Sequence, residues 1–404
     1  MRLPLISLLM IPLVVGCGDD KPDDDEIDCG PGTHLEYDIC VPDEEAATDV
    51  DGSSTSDDGS DDGISDDGSS DDGSSDDTSS SDSDDGVDDG SSDDGSPDDT
   101  SSSVGDEDGD GVTATDPQIV RFVALGDGGE GNEAQYAVAA AMKTVCDAKT
   151  DTDGAGCEFA LYLGDNFYNE GVESIDDPQF ETKFEMPYAD IEFPFYVVLG
   201  NHDYGELSID LFRVPFQVEY TDHSSKWDMP NEFYTKSHEH ALFVGLDTNA
   251  IMVEDLLGDS GQDTWISGVH ATNEATWTVA FGHHPYISNG RHGNAGEYEG
   301  IPFIPIVSGE SVKDFFDDQI CGKVDVYISG HDHNRQWLNP TCGTEFIVSG
   351  AAAKNTDLAG RGTPTFWEDD STTGFLWVEL RDNALTGEFY NREGVLEYTH
   401  TVFK

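Results

Sequence analysis

Positive charge is scarce in this 404-residue chain: 18 Lys and Arg stand against 86 Asp and Glu, for a formal net charge of −68. That shortage excludes a nucleic-acid binder working through bulk positive charge. Long apolar runs are also missing. The longest, Leu3 to Val15, is too short to span a bilayer, and Pro4 and Pro12 interrupt it. No pair of the seven cysteines has CxxC spacing, which argues against a zinc–thiolate site. Residues 43–116 contain no Lys or Arg and almost no aromatic or branched apolar side chain, only Asp-Asp-Gly-Ser repeats with 29 acids. Such a stretch cannot bury enough surface to offset its chain entropy, and its like charges extend it further. The acidity is thus concentrated. Residues 117–404 hold 48 acids and 16 basic residues, an ordinary acidic composition and a length that can enclose a large core.

The amino terminus carries one charge, Arg2, before the apolar run, and the run ends at Val14-Val15-Gly16-Cys17. Its length fits a secretory signal peptide, and VVGC resembles the bacterial lipobox, in which the Cys is lipidated and begins the mature chain. Setting Cys17 aside leaves six cysteines in three sequence-local pairs: Cys29 with Cys40, Cys146 with Cys157, and Cys321 with Cys342. Fifteen connectivities are possible, and the local one is the simplest. The expected division is residues 1–16 as a lipoprotein-type signal peptide, 17–42 as a small Cys-stapled segment, 43–116 as a disordered acidic linker, and 117–404 as one folded domain. The chain is expected outside the cytoplasm, anchored to a bacterial membrane through lipidated Cys17. Asp106-Glu107-Asp108-Gly109-Asp110 has the alternate carboxylates of a calcium loop, but Pro117 stands where a bidentate Glu is needed. That excludes a full EF-hand and leaves weak calcium binding at Asp106–Asp110.

From Gln118 onward, short Val-, Ile- and Phe-rich runs end in Gly followed by a residue able to bind metal. Ile119–Leu125 leads to Asp127, and Phe159–Leu163 to Asp165, Asn166, Phe167 and Tyr168. Phe195–Leu199 leads to Asn201, His202 and Asp203. Trp277–Phe281 leads to His283 and His284, and Val324–Ser329 to His331, Asp332 and His333. Such runs read as buried strands. With helices expected over Glu133–Ala148, Gln262–Ala271 and Glu310–Ile320, the alternation argues an α/β sheet with crossover helices. Ligands in these sheets sit beyond the carboxyl ends of the strands, where all five clusters lie. The donors are oxygen and imidazole nitrogen with no thiolate, suited to two hard or borderline ions, and a shared carboxylate can hold such a pair about 3.5–4 Å apart.

The order of these clusters resembles that of the calcineurin-like metallophosphoesterases. GDNFY, with Tyr three residues after Asp, narrows the resemblance to the purple acid phosphatases, and it is closest to their small, single-domain, tartrate-resistant type. FVALGDGG, LGDNFYNEGV, VVLGNHD, SSKWDMPNEFY, VGLDTN, FGHHP, GHDHN and FIVSGAA carry it across nearly all of residues 119–404. The resemblance implies a sandwich of two mixed sheets flanked by helices, and an acid phosphatase acting on small phosphorylated substrates with a metal-bound hydroxide. It implies Asp127, Asp165, Tyr168 and His333 as ligands of Fe(III), and Asp165, Asn201, His283 and His331 as ligands of a second ion, Fe(II), Zn(II) or Mn(II). His202 is implied to contact the phosphate or protonate the leaving oxygen, and His292 to face the substrate. Two departures stand out: Gly128 replaces an aromatic residue, which is expected to widen or soften that wall, and His284 stands where Tyr is common. A phosphodiesterase on the same site, or a non-catalytic cation-binding surface protein, remain the alternatives. His34, His223, His238, His240, His270 and His400 lie outside any motif and read as surface or core residues.

Overall fold

The structure is a computed structural model that describes residues 33–36, 39–42, 116–205, 207–300 and 305–404. The chain divides into two units, Met1–Val112 and Thr113–Lys404. In the first, β1 (Thr33–Glu36) and β2 (Ile39–Pro42) pair as an antiparallel hairpin. The signal peptide, Cys17, the Cys29–Cys40 pairing, the linker and the calcium-loop residues lie outside the described residues. Among the described residues, no helix is long and apolar enough to cross a membrane.

The second unit is built on two seven-stranded mixed sheets. β3 (Ile119–Leu125), β4 (Phe159–Leu163), β5 (Phe195–Val198) and β6 (Trp227–Asp228) run parallel in the first. β7 (Tyr234–His238), β8 (Ala241–Gly245), β9 (Trp277–Phe281) and β10 (Val326–Ser329) belong to the second, as do β11 (Arg335–Leu338), β12 (Glu345–Ser349) and β13 (Thr365–Asp369). There β8, β9, β10 and β12 are the parallel strands. β14 (Gly374–Arg381), β15 (Ala384–Asn391) and β16 (Leu396–Phe403) then return as an antiparallel meander beside β3.

β4, β5 and β9 are buried at every position, as parallel strands covered on both faces are, and apart from Thr278 in β9 they are apolar throughout. One core joins the sheets: Phe243 of the second packs edge-on to Phe122 and Phe159 of the first, with ring centroids 5.2 and 4.9 Å away. A second core lies between the other sheet and its helices, around Ile251, Ile266, Val312 and Phe316.

The helix Glu133–Lys149 follows β3. Asn132 caps it by accepting from the Gln135 amide at 3.0 Å, with Glu133 in the first turn and Lys149 in the last, matching the helix dipole. Its end is tied to the approach to β4 by the disulfide Cys146–Cys157. The helix Gln262–Thr272 is as expected. The helix expected over Glu310–Ile320 is α-helical only to Phe315, then widens into a π turn over Phe316–Ile320. Cys321, immediately after it, is bonded to Cys342 before β12. Both disulfides pair locally.

Candidate metal centre

Five strand ends deliver the donors. Asp127 follows β3, Asp165 and Tyr168 follow β4, Asn201 follows β5, His283 follows β9, and His331 and His333 follow β10. All seven are buried. Asp127, Asp165 and His331 hold left-handed φ values of 60°, 53° and 70°. Non-glycine residues take that conformation at a cost and cluster in it where a site needs a particular direction. Glycines before the donors serve close approach: a Cβ on Gly200, before Asn201, would lie 2.2 Å from Asp165 Oδ1, and one on Gly330, before His331, 2.5 Å from Asp127 Oδ2.

The donor atoms form two groups. In the first, the Tyr168 hydroxyl lies 3.0 Å from both Asp127 Oδ1 and Asp165 Oδ2, and 3.3 Å from His333 Nε2, which is 3.5 Å from Asp127 Oδ1. In the second, His283 Nε2 lies 3.0 Å from Asn201 Oδ1, 3.0 Å from His331 Nδ1 and 3.4 Å from Asp165 Oδ2. Donors about 2.0–2.2 Å from one ion are about 2.8–3.6 Å from each other in octahedral or tetrahedral geometry. Both groups have those edges, and Asp165 Oδ2 belongs to both.

Proton positions agree with the geometry. The Leu163 carbonyl accepts from His283 Nδ1 at 2.9 Å, so Nε2 turns a lone pair toward Asn201 and His331. Asp127 and Asp165 are fully buried, and among the described residues neither forms an ion pair with Lys or Arg. Burial pushes Asp127 up to about 7. Burial also opposes charge on Asp165, but its electrostatic contacts with the His283 and His202 side chains outweigh burial and hold this carboxyl below its ordinary range. Burial, with both carboxylates close by, pushes the Tyr168 hydroxyl well up. Dry carboxylates and converging lone pairs call for cations, so the residues fit metal ions.

His202 opens a short 3-10 turn, His202–Tyr204, and its backbone N–H donates to Asp165 Oδ1 at 2.9 Å. Its ring does not join either donor group. It stands 4.6 Å from the Tyr168 ring, and Nδ1 donates to the Asn169 carbonyl at 2.7 Å. Nε2 has no protein partner among the described residues. His292 is brought to the same place, its ring 4.1 Å from that of His331, its amide on Asp332 Oδ1 at 2.8 Å and its Nδ1 on Glu299.

Residues 120–335 match the family model described as calcineurin-like phosphoesterase. The chain belongs to the calcineurin-like phosphoesterase family. It is a metallophosphoesterase, an enzyme of phosphoester hydrolysis. This phosphoesterase is 27% identical over 305 residues to tartrate-resistant acid phosphatase type 5 of Homo sapiens, covering 68% of this chain and 88% of that one. It is 29% identical over 265 residues to purple acid phosphatase 4 of Arabidopsis thaliana, covering 58% and 71%. Among solved structures, GAP50, the anchor in the inner membrane complex of Plasmodium, aligns with a TM-score of 0.56 at 22% identity, over 71% of this chain and 89% of the other. Purple acid phosphatase PPD1 from yellow lupin seeds aligns at 0.53 and 16%, over 71% and 54%. These two likenesses bear on the fold.

One expectation for the phosphoesterase is corrected. Gly128 opens no wall: a Cβ there would fall 2.5 Å from the Tyr162 hydroxyl and 3.0 Å from that of Tyr188, so tyrosines from β4 and a later turn already fill the space. His284 is buried beside His283 and exchanges hydrogen bonds with Thr248, so it packs behind the site. Three residues were given no role from sequence. Asp203 accepts from the Gly200 and Asn166 amides and holds the β4 and β5 loops together. Asp332 does the same for the His292 loop. Lys354 sits over the Tyr168 ring. Asp203 and Asp332 stand next to site candidates, His202 for the first and His331 and His333 for the second, and Lys354 follows the quoted FIVSGAA, but nothing in their spacing signals what they touch.

Proposed function

We propose that this chain is an exported acid phosphatase that hydrolyses small phosphomonoesters at a dinuclear Fe(III)–M(II) centre, with M iron, zinc or manganese. The observation that carries the reading is the pair of donor groups sharing Asp165 Oδ2, with a tyrosine in only one of them. Asp127, Asp165, Tyr168 and His333 would hold the ferric ion, and Asp165, Asn201, His283 and His331 the divalent one. Burial beside two carboxylates raises the Tyr168 hydroxyl well above the ordinary phenol range, so a highly charged ion would be needed to hold it as a phenolate. When bound, the pair would supply Lewis acidity and an ionised water at moderate pH. The protein's own residues do the rest. Asp165 and Asp127, both buried, would neutralise the ions. His202, outside both donor groups and oriented by the Asn169 carbonyl, presents Nε2 to protonate the departing oxygen. His292, held by Glu299, faces the phosphate from the His331 side.

Export and the lipid anchor rest on the VVGC sequence; export alone is also supported by two disulfides in the folded unit, which point to an oxidising compartment. Mass spectrometry of the mature amino terminus tests them: a lipidated Cys17 is expected, and an unmodified one refutes the anchor. For the activity, rates on an aryl phosphate and a bis-aryl phosphate are compared at mildly acidic pH. Faster monoester hydrolysis is expected. Diester preference would overturn the substrate class, and inactivity with both metals bound would overturn the enzyme.

A further inference from the structure

Lys354 lies in the loop after β12, in the Ala353-Lys354-Asn355 stretch. The loop is fixed beside the site, because the Asn132 side chain donates to the Ala353 carbonyl at 3.0 Å from the N-cap of the helix Glu133–Lys149. The Lys354 ammonium stands 3.4 Å from the centroid of the Tyr168 ring and 2.8 Å from Glu130 Oε1. Three-quarters of the side chain is out of solvent. Its charge also reaches Asp165, where it favours the ionised carboxylate. A surface ion pair needs only Glu130; it does not require the ammonium to rest on an aromatic face that itself belongs to a metal site.

We propose that Lys354 is a positioning residue that tunes the donor strength of Tyr168 through the ring face, an inference that rests on the ferric–tyrosinate reading above. Attraction between an ammonium and a ring face is electrostatic, and it strengthens when the ring carries phenolate charge. The ammonium therefore lowers the energy of the phenolate electrons. Less density is donated to the ion, which stays a stronger Lewis acid and is easier to reduce. The same stabilisation raises the energy needed to move an electron from phenolate to ferric ion, so it places the visible band at shorter wavelength. Glu130 opposes this in part by pairing with the ammonium.

The test uses the full-length iron-loaded protein and reads the visible spectrum and the reduction midpoint of the oxidised form. Lys354→Met keeps the length and removes the charge: the band should move to longer wavelength and the midpoint should fall, while Lys354→Arg should stay close to the parent on both. Glu130→Gln leaves the ammonium uncompensated and should shift both readings the opposite way, an independent check where the Met variant fails to fold. An unchanged band and midpoint in Lys354→Met, or in Glu130→Gln, would overturn the inference and leave Lys354 a surface ion pair. Absence of any band in the parent would instead overturn the ferric–tyrosinate reading, and this inference with it.

Discussion

Replacing His202 by Ala separates its two contacts. The backbone N–H bond to Asp165 Oδ1 and the 3-10 turn survive, because neither uses the side chain. The ring, with its bond to Asn169 and its contact with Tyr168, is lost. Both metals should remain, because the ring belongs to neither donor group. A positioned acid contributes about 10²–10⁴-fold, so the barrier should rise by about 2.7–5.5 kcal/mol. The size of the loss should depend on the leaving group. A nitrophenolate departs without a proton and should lose least, whereas an alkyl phosphate, whose alkoxide cannot leave unprotonated, should lose most. The assay is kcat across a series of phosphomonoesters graded by leaving-group pKa, with metal content measured on each preparation. An equal loss along the series would mean that His202 binds phosphate and is not the acid. Loss of a metal would make it a ligand and refute the assignment.

Asp247 is buried at the end of β8 and accepts from Tyr204 and from the Ala250 amide. Burial pushes it up to about 7 from 3.8, so the folded protein keeps a proton there that the unfolded chain releases. Its contribution to stability should therefore fall as pH rises from about 4 to 7, and Asp247→Asn should flatten that slope in urea midpoints taken across the range. Arg335 is fully buried, with Asp369 and Glu397 as partners and the Tyr390 carbonyl as a further acceptor. Arg335→Leu leaves these groups unpaired and should cost about 3 kcal/mol by denaturant unfolding, the low end for a broken buried pair, since both carboxylates are partly exposed. A loss under 1 kcal/mol would contradict that reasoning.

The strands that carry ligand candidates were legible because each is a short apolar run stopped by glycine. The bounds of β3, β4 and β9 coincide with those runs, and β10 begins two residues later than its run. Strands with one exposed face carried no such signal: β13 and β16 alternate between partly covered and exposed positions and went unread, as did the largely buried β14 and its partner β15. The π turn at Phe316–Ile320 was missed because its apolar spacing still reads as a helix. At the site, ligand types and order were readable, but contacts between distant segments were not. Gly128 looked like an open wall because Tyr162 and Tyr188 come from elsewhere in the chain. Lys354 carried no signal, because its target ring is 186 positions earlier.

The central claim is that Tyr168 and the shared Asp165 build a ferric site beside a divalent one. Metal analysis joined to the visible spectrum of the oxidised, full-length protein and of Tyr168→Phe tests it most directly. The Phe variant keeps the ring, and with it the contacts to His202 and Lys354, and removes only the oxygen that lies 3.0 Å from both carboxylates. The account predicts two metals per chain with at least one iron, a purple or pink parent, and a Phe variant that has lost the band and holds its iron more weakly. A colourless parent loaded with ferric iron, or a Phe variant with an unchanged spectrum, would contradict it.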